Sequence, residues 1–363
     1  MEYPKILTSL SGKKITTKEA WEKHRRDEIL MLFENFVFGA PPIGRPENLR
    51  FLVKEIEREE GIVQKKVTIA FPEHEFLADI FVPKENEKPL PAFFLIMHQF
   101  EERSCDIDNE LDFEIIPIID IIKRGYAVVA MKTSGICPDL FQNKINSEKL
   151  YCDGIFTKLK YTHRKNSWSI LSAWAWGASR VMDYLETDRD IDEKKVIITG
   201  HSRSGKTALW TAASDMRFYM AISNDSGCTG ASFTRGKKGE HVKDINDATH
   251  WFCENYTKYN DDEEMLPIDQ HMLLALIAPR PLYVASSSLD EWADPEHELL
   301  SCRLAKEAYN LYGLEGVCVP EEGAENDIAY HDGIIGYHKK TGEHSLTKFD
   351  WNYFMDFADK HIK

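Results

Sequence analysis

No uncharged apolar run in this chain approaches the roughly 18 residues that a membrane-spanning helix needs. Internal repeats and low-complexity tracts are missing too. The seven cysteines, Cys105, Cys137, Cys152, Cys228, Cys253, Cys302 and Cys318, are odd in number, irregular in spacing and without a C-x-x-C pair. A disulfide framework and a zinc knuckle are therefore not implied, and reduced thiols of an intracellular protein fit better. The opening MEYPKILTSLSGKK lacks a basic stretch leading into an apolar one, so no secretory signal is read and a cytoplasmic location is expected. Positive charge is in deficit: 45 Lys and Arg against 60 Asp and Glu leave a net charge of −15. That balance disfavours nucleic acid and anionic membrane as partners, because both require a basic face. There is no H-E-x-x-H and no His/Cys cluster at ligand spacing, so no metal or other cofactor is implied. Oligomeric state is left open.

What the chain does have is apolar substance. Its 363 residues are 43% hydrophobic and 11% aromatic, enough for one large α/β unit over residues 1–363. Thr16 with Glu19 reads as a capping box opening a helix to about residue 38, with Ile29, Leu32, Phe33 and Phe36 at helical spacing. Alternating runs at 51–56, 63–70 and 76–82, joined by short polar turns, predict an antiparallel meander. From there short apolar strands alternate with helical stretches. Strands are expected at 93–97, 126–131, 196–199, 219–223 and 282–285, and helices at 168–185, from 205, at 296–311 and from 350. The pattern implies a mixed, mostly parallel sheet with helices on both faces. The less periodic stretch 227–279 reads as an insertion over the functional edge of the sheet.

The most informative segment runs from Lys195 to Trp210, KVIITGHSRSGKTALW. An apolar strand enters a tight turn and leaves as a helix, and two chemistries use that arrangement. In a nucleophile elbow, Gly200-His201-Ser202-Arg203-Ser204-Gly205 would hold Ser202 at the bend with its hydroxyl above the sheet. The strict G-x-S-x-G spacing is not met: Ser204 stands where the second Gly usually is. In a P-loop, Gly200 to Thr207 satisfies G-x-x-x-x-G-K-[ST] in full, with Asn224-Asp225 resembling a Walker-B end. Context favours the elbow. About five strands precede the motif, and an α/β-hydrolase needs the order Ser, acid, His. Ser202, then Asp225 or Asp290 at strand ends, then His344 before the last helix supply it. The expected geometry puts the Ser202 hydroxyl within hydrogen-bond reach of the His344 imidazole.

These and other segments resemble the bacterial branch of carbohydrate esterase family 15, the glucuronoyl esterases and their acetyl-xylan-esterase-like relatives. The similarity runs from about Trp21 to the C-terminus. It rests on Trp174-Ala-Trp-Gly177, the Gly200–Lys206 segment, Asn224-Asp-Ser-Gly227 and Leu266-Pro-Ile-Asp-Gln-His271. Ala278-Pro-Arg-Pro281, Asp290-Glu-Trp-Ala-Asp-Pro295 and Gly342-Glu-His344 add to it. The resemblance implies an α/β-hydrolase three-layer sandwich acting on a small carbohydrate ester, either a 4-O-methyl-glucuronoyl ester or an acetylated xylo-oligosaccharide. It implies Ser202 as nucleophile, His344 as base, Arg203 as an oxyanion donor, Lys206 as a ligand of sugar hydroxyls, and Glu240 and Trp292 as uronate contacts. Either Asp225 or Asp290 is the triad acid. His201 stands where fungal members have Cys.

Plainer roles remain open for several of these side chains. Lys206 can simply pair with an acid, Trp292 can be core packing, and Asp225 can brace the elbow loop. Glu240 can belong to a solvated charged face over 235–243. His297, His331 and His338 are not expected to act as the base, and 261–264 reads as an exposed acidic turn.

Overall fold

The computed structural model describes residues 3–139, 154–159, 164–236, 238–248 and 250–363. Ten strands among these residues form one sheet. They are β1 Arg50–Glu57, β2 Ile62–Phe71, β3 His74–Pro83, β4 Leu90–Met97, β5 Ala127–Lys132, β6 Ile191–His201, β7 Met220–Asn224, β8 Leu282–Ser287, β9 Ala329–Tyr330 and β10 Ile335–Lys340. The spatial order is β1-β2-β3-β5-β4-β6-β7-β8-β10-β9. The first three strands are the expected antiparallel meander, and the run from β5 through β10 is parallel.

The six labelled helices are α1 Arg26–Phe36, α2 Ile170–Leu185, α3 Arg203–Ser214, α4 Gln270–Ala275, α5 Pro295–Asn310 and α6 Lys348–Ile362. Side chains of the central strands alternate between two cores. Phe94 and Ile96 of β4 face the core that holds α2, α3, α4 and α5. Phe93, Leu95 and Met97 face the core that holds Trp351, Phe354 and Phe357 of α6. Burial on both faces is why these strands read as continuous apolar runs.

Two local expectations are corrected, and a third element was not foreseen. Thr17, not Thr16, caps the first helical segment: its Oγ1 accepts from Ala20 N at 3.2 Å, and a π-helical turn over Trp21–Arg25 leads into α1. The stretch 227–279 divides in two. Its first part reaches the cleft described below, whereas α4 is wholly buried and packs on α3, α5 and α1. The third is β10, which the sequence conceals because Ile-Gly-Tyr-His-Lys-Lys carries three polar residues. Buried Asp350 of α6 explains two of them, binding His338 Nε2 at 2.9 Å and Lys340 Nζ at 2.6 Å, and Lys339 Nζ reaches Glu296 at 3.3 Å. Asp350 also closes the capping box of α6 with Thr347. Burial opposes ionisation of Asp350, yet these two partners hold its pKa down to about 2. Cys152 lies outside the described residues.

The bend that the sequence marked is very tight. β6 ends at His201 and α3 begins at Arg203, leaving Ser202 alone to turn the chain with φ 57° and ψ −126°. A serine held there stores roughly 1–3 kcal/mol of backbone strain. Close approach is what requires glycine. A Cβ on Gly200 would stand 2.1 Å from the Ser204 carbonyl oxygen. At Gly205 it would meet Ser226 Cβ at 3.0 Å and Gly200 O at 3.1 Å. Gly205 thus provides clearance one residue later than the strict motif places its second Gly. Gly200→Ala should therefore destabilise the protein by about 2–4 kcal/mol, read as a Tm lowered by several degrees. A Tm within about one degree of wild type would show that the bend tolerates a side chain.

Candidate active site

The parallel neighbours β6, β7, β8 and β10 end on the same edge of the sheet. Ser202 follows β6, Asp225 follows β7, Asp290 lies three residues past β8, and His344 lies four residues past β10. Ligands of open α/β sheets gather at this carboxyl edge. All four residues line a cleft with Arg203, Lys206, Ser226, Gly227, Glu240, Trp251, Trp292 and Ala293. The cleft has a volume of about 280 Å³, at the small end of ligand-binding sites.

His344 Nδ1 and Asp290 Oδ2 are 2.5 Å apart, and the imidazole is 44% exposed while the carboxylate is nearly buried. Burial alone would raise the Asp290 pKa. The hydrogen bond and charge of His344, with a backbone N–H from Ala293, outweigh it and hold the carboxyl below its ordinary value. Among the described residues no hydrogen bond joins Ser202 Oγ to His344, so the expected contact is not formed although both groups face one cleft. Such bonds often tighten only when substrate binds.

Asp225 is placed differently. It is buried at φ 44° and accepts from Ser287 Oγ at 2.7 Å and Ser345 N at 3.2 Å. Burial first, then the charge of Glu298, push its pKa up to about 7. Asp225, Asp290 and His344 offer ligand atoms within 4.8 Å of one another, the spacing of a metal site. Those atoms are largely engaged with each other, with Ser287 and with the Ser345 backbone.

The two cations beside the bend are both anchored. Arg203 Nη1 lies 2.5 Å from Asp139 Oδ2, and its guanidinium sits 4.7 Å from the centroid of the Trp251 ring. Lys206 Nζ donates to the carbonyls of Ser226 at 2.7 Å and Cys228 at 2.5 Å, and to Glu240 at 3.2 Å. Its pairing with an acid and its place in the cleft are therefore not alternatives. Glu240 faces the cleft instead of lying on a solvated face. Trp292, 56% exposed, is not core packing.

The other histidines have separate surroundings. His338 is in the core between Asp350 and Tyr283, His331 bonds Tyr283, and His297 pairs with Asp294. His201 packs on His344 with ring centroids 4.5 Å apart. Burial, then the His344 charge, lower its pKa to about 3, so it is neutral.

Phosphate-loop geometry is not formed, which corrects the nucleotide alternative. Residues 203–207 of the motif are already the first turns of α3, so the extended loop that wraps around a nucleotide's phosphates is not formed. Lys206 is turned into backbone carbonyls, and Thr207 Oγ1 donates to Arg203 O at 2.9 Å. Sequence reasoning missed Trp251, Asp139 and Glu298. Trp251 lies in a stretch without periodicity, and its Trp-Phe pair among polar residues was the available signal. Asp139 and Glu298 looked like ordinary surface acids.

The family model for glucuronyl esterase, fungi, matches residues 67–313. The chain belongs to the glucuronyl esterase family. Carbohydrate esterase MZ0003 of an unknown prokaryotic organism is 37% identical over 392 residues, spanning 99% of this chain and 89% of its own length. A promiscuous CE15 esterase from a marine bacterial metagenome superposes with a TM-score of 0.89 at 35% identity, covering 99% of this chain and 97% of that one. The glucuronoyl esterase from Solibacter usitatus superposes with a TM-score of 0.87 at 32% identity, covering 100% and 98%. The esterase described here accordingly has the α/β-hydrolase fold and is a carboxylic ester hydrolase. No helix among its described residues is long and apolar enough to cross a membrane.

Glu298 of α5 adds a pH dependence to this site. It is fully buried, accepting from Gly227 N at 2.8 Å and Ser286 Oγ at 2.6 Å, and burial pushes its pKa up to about 7. Between its ordinary 4.5 and about 7, the folded state keeps a proton that the unfolded chain has released. Its contribution to stability therefore falls as pH rises through that window. Glu298→Gln should show a smaller drop in Tm from about pH 5 to about pH 7 than wild type. A parallel Tm profile in the two proteins would exclude this residue as the source.

Proposed function

We propose that this enzyme hydrolyses 4-O-methyl-glucuronoyl esters through an acyl-enzyme on Ser202. The observation that carries the reading is a serine at a strand-to-helix bend sharing one cleft with an imidazole already paired to a carboxylate. The Ser202 hydroxyl attacks the ester carbonyl while His344 Nε2 takes its proton. Arg203 and the backbone N–H groups at the start of α3 stabilise the oxyanion. The intermediate collapses, the leaving alcohol takes the proton back from His344, and water repeats the sequence to free the acid and Ser202.

Asp290 is the triad acid in this mechanism. Its ionised carboxylate holds the Nδ1 proton of His344 and stabilises the imidazolium. Asp225, with its pKa raised and its oxygen committed to Ser287 and Ser345, braces the loop that carries His344. Lys206, Glu240 and Trp292 contact the sugar. Trp292 offers an exposed aromatic face, and Lys206 and Glu240 offer a donor and an acceptor for hydroxyls.

Relatives support the substrate class. The 4-O-methyl-glucuronoyl methylesterase of Hypocrea jecorina is 35% identical over 303 residues, 80% of this chain and 58% of its own length. In this reading residues 1–363 work as one domain, with the first part of 227–279 as a wall of the site. The free thiols of Cys105, Cys253, Cys302 and Cys318 favour a reducing, cytoplasmic setting. A small soluble ester suits that setting better than a polymer.

Two experiments test the proposal. Wild-type protein should turn over methyl 4-O-methyl-glucuronate faster than acetylated xylo-oligosaccharides, and Ser202→Ala should lose at least about 1,000-fold of that rate. Preference for the acetyl ester would overturn the substrate, and a turnover unchanged by Ser202→Ala would overturn the mechanism. Asp290→Asn should reduce kcat by about 1,000-fold or more, and Asp225→Asn by less than about 10-fold. The reverse ranking would make Asp225 the acid.

A further inference from the structure

We infer that Asp139 and Trp251 are positioning residues that hold the Arg203 guanidinium at the reacting carbonyl; this rests on the reading of Arg203 as an oxyanion donor. Asp139 uses both oxygens. Oδ2 accepts from Arg203 Nη1 at 2.5 Å, and Oδ1 accepts from Trp251 Nε1 at 3.1 Å. The Trp251 ring in turn faces the same guanidinium, 4.7 Å from its centroid. The three side chains close a ring of contacts, each fixed by the other two. Phe100, from the short helix Gln99–Ser104 after β4, adds a second aromatic ring 5.3 Å from the guanidinium.

The three residues are far apart in the chain. Asp139 follows the turn after β5, Arg203 opens α3, and Trp251 precedes the 3₁₀ segment Glu254–Tyr259. The Arg203 side chain is only 10% exposed and Asp139 is 1% exposed, so the pair is largely withdrawn from water. A long, flexible side chain has many rotamers to lose. Fixing it in the free enzyme removes that loss from the chemical step, which is what makes an oxyanion donor effective. Trp251 also lies 5.9 Å from Lys206 Nζ. One indole therefore sets the spacing between the cation at the ester and the cation at the sugar.

The test is a double-mutant cycle on the full chain, measuring kcat and KM for methyl 4-O-methyl-glucuronate. Arg203→Ala alone reports on the underlying reading, with an expected loss in kcat of about 100-fold. Asp139→Asn, which keeps shape but removes charge, should lower kcat about 10-fold with KM within about 3-fold. In the Arg203→Ala background the same change should cost less than about 2-fold more, because the side chain it acts through is gone. Trp251→Phe keeps an aromatic face but loses the N–H to Asp139, and should reduce kcat in the same non-additive way. Losses that multiply across the cycle, or an unchanged kcat in both Asp139→Asn and Trp251→Phe, would overturn the clamp. An unchanged kcat in Arg203→Ala would instead overturn the oxyanion reading, and the clamp with it.

Discussion

The close approach of β6 to α3 is the constraint on which the site depends. With a single residue between strand and helix, Ser202 adopts a backbone conformation that its side chain disfavours, and its hydroxyl is delivered to the sheet edge. Gly200 and Gly205 make the approach sterically possible, and Ser223 and Ser226 of the neighbouring strand end pack into the space that a side chain on Gly205 would fill. The strain is local, and burial of nearly all of α3 in the core offsets it. Arg203 and Lys206 then project from the first turns of the same helix, so one bend fixes three side chains of the cleft together.

Around that bend the acids occupy different electrostatic environments. Asp290 meets an imidazole and a backbone N–H and stays ionised. Asp225 and Glu298 are more deeply buried, and burial raises their pKa values despite the hydrogen bonds they accept from hydroxyl and amide groups. Asp139 and Glu240 are each tied to a cation. The same functional group thus serves as hydrogen-bond partner, structural brace and counter-ion according to what faces it. Two carboxyls near one histidine do not amount to two equivalent candidates, because only one bonds the ring.

Much of this was legible in the linear chain where local pattern governs. The antiparallel meander, the switch to alternating strands and helices, and the strand-turn-helix at Ser202 all follow from periodicity and small-residue placement. The order Ser, acid, His, together with the family resemblance, pointed to His344 among thirteen histidines. What stayed hidden were elements whose residues make sense only through distant partners. β10 stays hidden until Asp350 is seen to bond both His338 and Lys340. Trp251 reads as filler until its ring is seen against Arg203. The P-loop spelling was complete in the sequence, yet the motif folds as helix, since spelling does not specify where a helix begins.

The sequence by itself determined the class of sheet, the position of the tight strand-to-helix bend and most of the side chains that share its cleft. These depend on repeat spacing, on glycine placement and on order along the chain. Only the tertiary structure decided which carboxylate bonds His344, that Lys206 is paired and yet faces the cleft, and that Asp139 reaches Arg203 across more than sixty residues. Those outcomes turn on burial and on distances of a few ångströms between segments remote in sequence, and neither quantity is written in local pattern.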